Sequence, residues 1–262
     1  MISLFGSSEI HTVITPDKLF EIGGFPITNS ILFGWISAIV IIICFYLGTK
    51  AIKLKGNKGV SQLLDVGTEF MVGIVENTLG NRTLAIKYAP IFASMFFFIM
   101  LNNWFGLLPG VGPAIVYNES SLFRAFTADA NSTFAMAIFG MIVVQVLAIK
   151  ENGGLGHIKH YFPLSFLNPA NYLIGLFEIF TEFTRLISLG LRLFLNVAVG
   201  EILISVASYL GGTFAAPIAA LPFTLLEIFV GVLQAFIFVV LCIAYLAATT
   251  AGHTQEHQEA SR

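Results

Sequence analysis

Arg192 lies inside an apolar run long enough to cross a membrane, in the stretch Ser188-Leu-Gly-Leu-Arg192-Leu-Phe-Leu-Asn196-Val-Ala-Val-Gly-Glu201. A charge at that depth costs at least about 2.5–3.5 kcal/mol on insertion scales. Arginine cannot escape the cost by losing its proton, because its pKa lies above about 12. A chain that keeps a permanent cation there must use it. The rest of the sequence reads as the housing for that charge.

The housing is a membrane. Of 262 residues, 56% are hydrophobic and only 11% charged, against about 25% charged in soluble domains. The fold class this implies is an all-α polytopic membrane protein. The net charge of −2 gives no electrostatic case for nucleic acid. Cys44 and Cys242 both fall in apolar segments and read as small buried hydrophobes rather than a disulfide or metal ligands. The first residues lack a basic region followed by an apolar one, so no cleavable signal peptide is expected.

Taken in order, residues 1–28 read as an outer lead-in broken by Pro16, Gly23, Gly24 and Pro26. Residues 29–49 form a first span of bilayer length, with Trp35 and Tyr46 near its ends. Lys50, Lys53, Lys55 and Lys58 follow as a basic loop. In 60–84 the residues Leu63, Val66, Phe70, Ile74 and Leu79 recur near helical period, but Asp65, Glu69 and Glu76 interrupt them. An amphipathic helix in the membrane interface is expected there. A second span covers 88–108. Its amides Asn102 and Asn103 suit either an ion pathway or interhelical hydrogen bonds. A polar loop with Asn118, Glu119, Arg124 and Asp129 leads to a third span, 130–150. His157 and His160, three apart, have glycines beside them and no third ligand near, so no metal site and no cofactor are expected. The loops after spans one and three are basic and the loop after span two is not. The positive-inside rule then puts the N-terminus outside and the C-terminus in the cytoplasm.

The last two helices carry the chemistry. Residues 168–210 contain no proline after Pro169. At 1.5 Å per residue they make a helix of about 60 Å, twice the hydrocarbon thickness. Gly211 and Gly212 end it, a second long helix occupies 217–250, and a polar tail fills 251–262. Two such lengths imply a tilted hairpin within one integral membrane domain, 1–262. At 100° per residue, Arg185, Ser188, Arg192, Asn196 and Val199 share a stripe, and Glu201 lies about half a turn away from Arg192 in phase. Glu227, Gln234, Phe238, Leu241 and Tyr245 share a stripe on the second helix. A natural packing turns Glu201 toward Glu227 and Gln234 and leaves the Arg192 side for something else. Glu178 and Glu182 lie about 15–21 Å back along the axis, beyond a side chain's reach of Arg192. Glu201 and Glu227 suit either a neutral hydrogen-bonded acid pair or a proton relay.

These residues resemble a known family. SLGLRLFLNVAVGE is similar to the signature of subunit a of F-type ATP synthases, the membrane stator facing the rotating c-ring. EFMVGIVENTLG, NNWFGLLPG, TADANSTFAMA and LLEIFVGVLQAFIFVVLCIAYLA extend the resemblance over most of the chain. It implies a stator subunit that is not catalytic alone, forms two aqueous half-channels against the c-ring, and couples proton translocation to rotation and ATP synthesis. Arg192 aligns with the family's essential arginine beside the rotor carboxylate. Asn196, Glu201, Glu227 and Gln234 align with polar groups of the outer half-channel. Ser188 and Arg185 fall toward the inner one, and Tyr245 lies in the matching pattern of the last helix. The implied partners are the c-ring, the peripheral-stalk b subunits, the catalytic head indirectly, and the lipid bilayer, with a bacterial inner membrane as the expected location. Three positions depart from the pattern. Leu195 stands where small residues are frequent, Phe126 replaces a common proline, and both relay positions are glutamates where many relatives pair a glutamate with a histidine.

Overall fold

The structure is a computed structural model. It describes residues 2–4, 18–22, 25–51, 60–108, 111–117, 120–152 and 169–259. The loop residues Lys53, Lys55, Lys58, Asn118, Glu119, His157, Lys159 and His160 lie outside them, as do Asn168 and most of the lead-in.

Five helical stretches are long and apolar enough to cross a membrane: Asn29–Leu47, Arg82–Gly106, Ala130–Glu151, Gly175–Gly212 and Ala215–Thr249. They belong to helices α1 (Asn29–Ala51), α3 (Arg82–Gly106) and α4 (Ala130–Asn152), and to the two arms of a longer helical run. Helix α2 (Val60–Leu79) is not among the stretches that qualify. The fold is an all-α membrane protein. Short strands decorate its extramembrane chain. Strands β1 (Ile2–Leu4), β4 (Gly112–Tyr117) and β5 (Ser120–Phe123) form an antiparallel sheet in the order β1-β4-β5, and β2 (Lys18–Ile22) pairs with β3 (Phe25–Thr28). Polar lead-in and loop thus satisfy their backbone groups against each other.

The boundary between α2 and α3 falls earlier than the apolar pattern suggests. Gly80 adopts φ 67°, a left-handed conformation that closes α2. Asn81 then caps α3, its side-chain oxygen accepting from the backbone N–H of Thr83 (2.9 Å) and Leu84 (3.4 Å). Pro90 sits in the third turn of α3, which begins at Arg82 rather than at the expected 88. The buried side of α2 also differs from the expected stripe. Met71 and Val75 are fully buried, while Val66 and Phe70 are exposed. Gly67 lies against Phe97 of α3, where a side chain would overlap the ring. The face i, i+4, i+8 from Gly67 packs on the bundle because a glycine allows the closest approach. Phe70 instead stacks on Phe236, ring centres 6.1 Å apart.

Buried amides and hydroxyls tie the bundle together. Ser37 of α1 donates to Asn102 Oδ1 at 2.7 Å, and Asn102 Nδ2 donates to Phe98 O at 2.8 Å. Asn103 Nδ2 donates to Gly231 O at 3.2 Å in the last helix, beside Trp104 Nε1 donating to Ile228 O at 3.1 Å. Of the two readings open to these asparagines, interhelical bonding is what the geometry shows. Replacing Asn102 by alanine should cost about 1 kcal/mol, as such bonds do in membranes. The level of assembled protein in membranes should fall, with flux per assembled molecule unchanged.

At one end of the bundle, Asp129 caps α4 through Asn131 N (3.0 Å), and Ser30 Oγ of α1 donates to Asp129 Oδ2 at 2.7 Å. At the other end, Lys87 and Tyr88 of α3 both donate to Glu151 Oε1 of α4. Phe126 stacks edge-on against Phe98, and its ring fills the space a side chain on Gly34 would take. Cys242 is buried as expected. Cys44 is exposed, on the outward face of α1 with Ile39, Ile42 and Ile43. In a span, an outward apolar face meets lipid, so exposure there carries no hydrophobic penalty.

Residues Pro169–Glu259 form one helical run broken at Gly212, whose φ of 60° and ψ of −171° no helix contains. The arms are named α5 (169–211) and α6 (213–259). Gly211 comes so near Ala216 that a side chain there would meet its backbone at 2.8 Å. Three contacts, Arg185 with Tyr245, Asn196 with Gln234 and Gly200 with Glu227, close nearly symmetrically about a point just after the Gly212 kink. That symmetry defines an antiparallel hairpin and fixes its register.

Candidate functional site

On α5 the packed and open sides are sharply divided. Leu189, Leu193 and Val197 are buried, and Gly190 meets Phe134 of α4. Leu173, Phe177, Phe180, Leu191, Leu195 and Val199 are exposed. Only 22% of the most apolar window of Gly175–Gly212 is buried, against 56% in α3 and 50% in α4. A face of α5 therefore has no cover from the described residues.

Arg192 stands at the margin of that face. Its Nη2 lies 3.5 Å from Ser188 Oγ, one turn earlier, which is a long contact. Among the described residues it joins no ion pair. Thr184, Ile187, Ser188, Leu191, Arg192 and Leu195 line a shallow open pocket on the same face. Leu195, in place of a small residue, projects into this open side rather than into the α5–α6 seam.

The expected stripe through Arg192 is split by the packing. Ser188 and Val199 turn to the open side. Asn196 turns to α6, donating through Nδ2 to Gln234 Oε1 at 2.8 Å. Arg185 also turns to α6, its guanidinium carbon 4.6 Å from the centre of the Tyr245 ring. The stripe spans about 80° of the helix circumference, and the edge of the packed face runs through it.

Beyond Asn196 lie the two acids. Glu227 is 7% exposed, with its carboxylate over Gly200, where any side chain would overlap it. Glu201 is half-buried and close enough to Glu227 for their charges to interact. Gln234 is 2% exposed, and its Nε2 donates to no acceptor among the described residues. The oxygen of the same amide is the one that accepts from Asn196. So two pairs, Asn196 with Gln234 and Glu201 with Glu227, lie in succession along the α5–α6 hairpin. The expected Glu201–Glu227 neighbourhood is present, but Gln234 bonds Asn196 rather than either acid.

Two residues the sequence did not single out join the site. Arg124, from the segment before the short 3-10 helix Phe126–Ala128, lies within electrostatic range of Glu201 and donates to Ala128 O at 3.3 Å. Gln145 of α4 donates to Glu182 Oε2 at 2.9 Å, and Glu182 Oε1 sits 3.6 Å from Arg185 Nη1. Glu182 thus serves Arg185 and not Arg192. A lone amide in an otherwise apolar span was the available signal for Gln145. Among the described residues no group of three or more His, Cys, Asp or Glu could hold a metal ion.

The fold and the site define a membrane-embedded subunit with a permanent cation on an uncovered apolar helix face and an amide pair and an acid pair along the same hairpin. The sequence profile of the ATP synthase A chain family matches residues 31–247, and the chain belongs to that family. It is similar to the ATP synthase subunit a of Moorella thermoacetica, at 30% identity over 92% of this chain and all of the relative. It is likewise similar to those of Syntrophobacter fumaroxidans, at 30% identity over 93% of both chains, and Chlorobium phaeobacteroides, at 31% identity over 90% of this chain and 70% of the relative. The chain is therefore a membrane-sector subunit of an ATP synthase.

Proposed function

We propose that this chain is the stator of the F-type ATP synthase membrane sector, forming two half-channels against a c-ring and coupling proton movement to rotation. The observation that carries the reading is Arg192, a permanent cation without an acidic partner among the described residues, at the margin of an uncovered apolar face. A rotor carboxylate passing that face would complete the pair. Protons reach it from one side through Glu201, Glu227, Gln234 and Asn196, with Arg124 within electrostatic range of Glu201. A neutralised rotor acid can then enter lipid, where an ionised one cannot. After rotation the acid meets the opposite half-channel at Ser188, with Arg185 and Tyr245 behind it on the α6 side. There the field of Arg192 favours the carboxylate and the proton leaves. The same fixed charge stops protons passing directly between the two paths. The driving force is about 2.3 kcal/mol per elementary charge per 100 mV.

In this reading residues 1–262 act as one integral membrane domain, with α2 in the interface and α5 and α6 tilted. The two apolar stretches of the hairpin, 38 and 35 residues, exceed the roughly 30 Å hydrocarbon layer at 1.5 Å per residue. The basic loops favour a cytoplasmic C-terminus, and the reading takes a bacterial inner membrane as the location, with peripheral-stalk b subunits and the catalytic head as further partners. The subunit catalyses nothing alone. Membranes carrying the complex, stripped of its catalytic head, should conduct protons, and membranes assembled without this subunit should not. Equal conduction with and without it would remove the reading.

A further inference from the structure

α5 contains two arginines, and only one can meet a rotor carboxylate. Arg185 and Arg192 are seven residues apart, so they differ by only about 20° in phase and lie about 10 Å apart along the axis. On geometry alone Arg185 belongs on the same margin as Arg192, beside the open pocket formed by Thr184, Ile187 and Ser188. A second cation there would hold a passing carboxylate two turns from the place where it should load or release its proton. The structure turns Arg185 away. Its guanidinium lies over the Tyr245 ring of α6 at 4.6 Å and 3.6 Å from Glu182 Oε1. The other oxygen of that carboxylate accepts from Gln145 of α4 at 2.9 Å. The amide bond is the shorter of the two and comes from a separate helix, so it fixes the direction in which Glu182 faces.

We propose that Gln145, Glu182 and Tyr245 form a clamp that holds Arg185 off the open face of α5, leaving Arg192 as the cation a rotor carboxylate meets there. The inference rests on the function proposed above. It makes Gln145 and Glu182 positioning residues rather than carriers of the proton. Three helices contribute to the clamp, one group each from α4 and α6 and the acid from α5 itself, so it also locks α4 to the hairpin at this level.

The test is a rescue. In membranes carrying the assembled complex, with incorporation measured, Glu182→Gln should lower ATP-driven proton pumping per complex several-fold, because Arg185 loses its counter-charge and is freed. The double variant Glu182→Gln/Arg185→Gln should pump several-fold better than Glu182→Gln and at least as well as Arg185→Gln alone. Gln145→Leu leaves every charge in place and should give a smaller loss, relieved by the same second change. A proton-carrying or merely structural Glu182 predicts no rescue. Normal pumping by Glu182→Gln, or a double variant no better than the single one, overturns the clamp. If Arg192→Ala pumps normally, the wider reading falls. If Arg192 is required and rescue is absent, only the clamp does.

Discussion

Arg192→Ala is expected to abolish coupled proton transport while the complex still assembles. The two halves of that expectation have separate physical grounds. Arg192 contributes little to packing: its one hydrogen-bond contact is a 3.5 Å approach to Ser188, and it gives no ion pair to lose among the described residues. Removing it even relieves an insertion cost of about 2.5–3.5 kcal/mol. A loss of transport therefore cannot be laid to misfolding. What disappears is the field that returns the rotor acid to its ionised form and separates the two proton paths. Pumping driven by ATP should drop by on the order of a hundredfold or more, about 2.7 kcal/mol on the limiting step. Proton uptake into vesicles, normalised to incorporated subunit, measures it. Substantial coupled pumping by this variant would sink the assignment.

The second large effect is expected at the acid pair. Glu227 is buried with its carboxylate over Gly200, and Glu201 is half-buried beside it. Glutamine preserves the shape of each side chain and its capacity to hydrogen-bond, but it cannot take up a proton and pass it on. Glu201→Gln and Glu227→Gln should each slow transport about tenfold, or about 1.4 kcal/mol. The double variant should be slower than either, since neither acid would remain to stand in for the other. The alternative, a neutral structural pair, predicts that the amides are tolerated. Pumping in Glu201→Gln/Glu227→Gln that matches the wild type would select it.

The sequence made the spans legible because bilayer length and apolar composition are strong local signals. It also placed the hairpin turn at Gly211 and Gly212, since two glycines after a long proline-free run leave few alternatives. The signal at Gly80 and Asn81 was equally local, a glycine and a capping residue, but the charges of α2 and the apolar start of α3 overlapped it. The strands were not legible. Ile2 pairs with Tyr117 across more than a hundred residues, and no local pattern announces a partner so distant. At the site, phase arithmetic separated Arg192 from Glu201, and the structure keeps them apart. It could not tell that Arg185 and Asn196 would turn to α6 while Ser188 stays outside, because the stripe straddles the edge of the packed face. That edge is set by contacts such as Gly190 with Phe134, which only tertiary packing decides. The bond from Gln145 to Glu182 is of the same kind.

The central claim is that the open face of α5, with Arg192 at its margin, lies against the rotor. Disulfide cross-linking tests it most directly. Cysteines would be placed one at a time at Leu195 and Val199, both exposed, and at Leu189 and Leu193, both buried. Each would be combined with a cysteine on the outward face of the rotor subunit near its carboxylate. Oxidation of membranes carrying the assembled complex should join Leu195→Cys and Val199→Cys to the rotor and leave Leu189→Cys and Leu193→Cys unjoined. Rotor cross-links from the buried pair, with none from the exposed pair, would contradict the account.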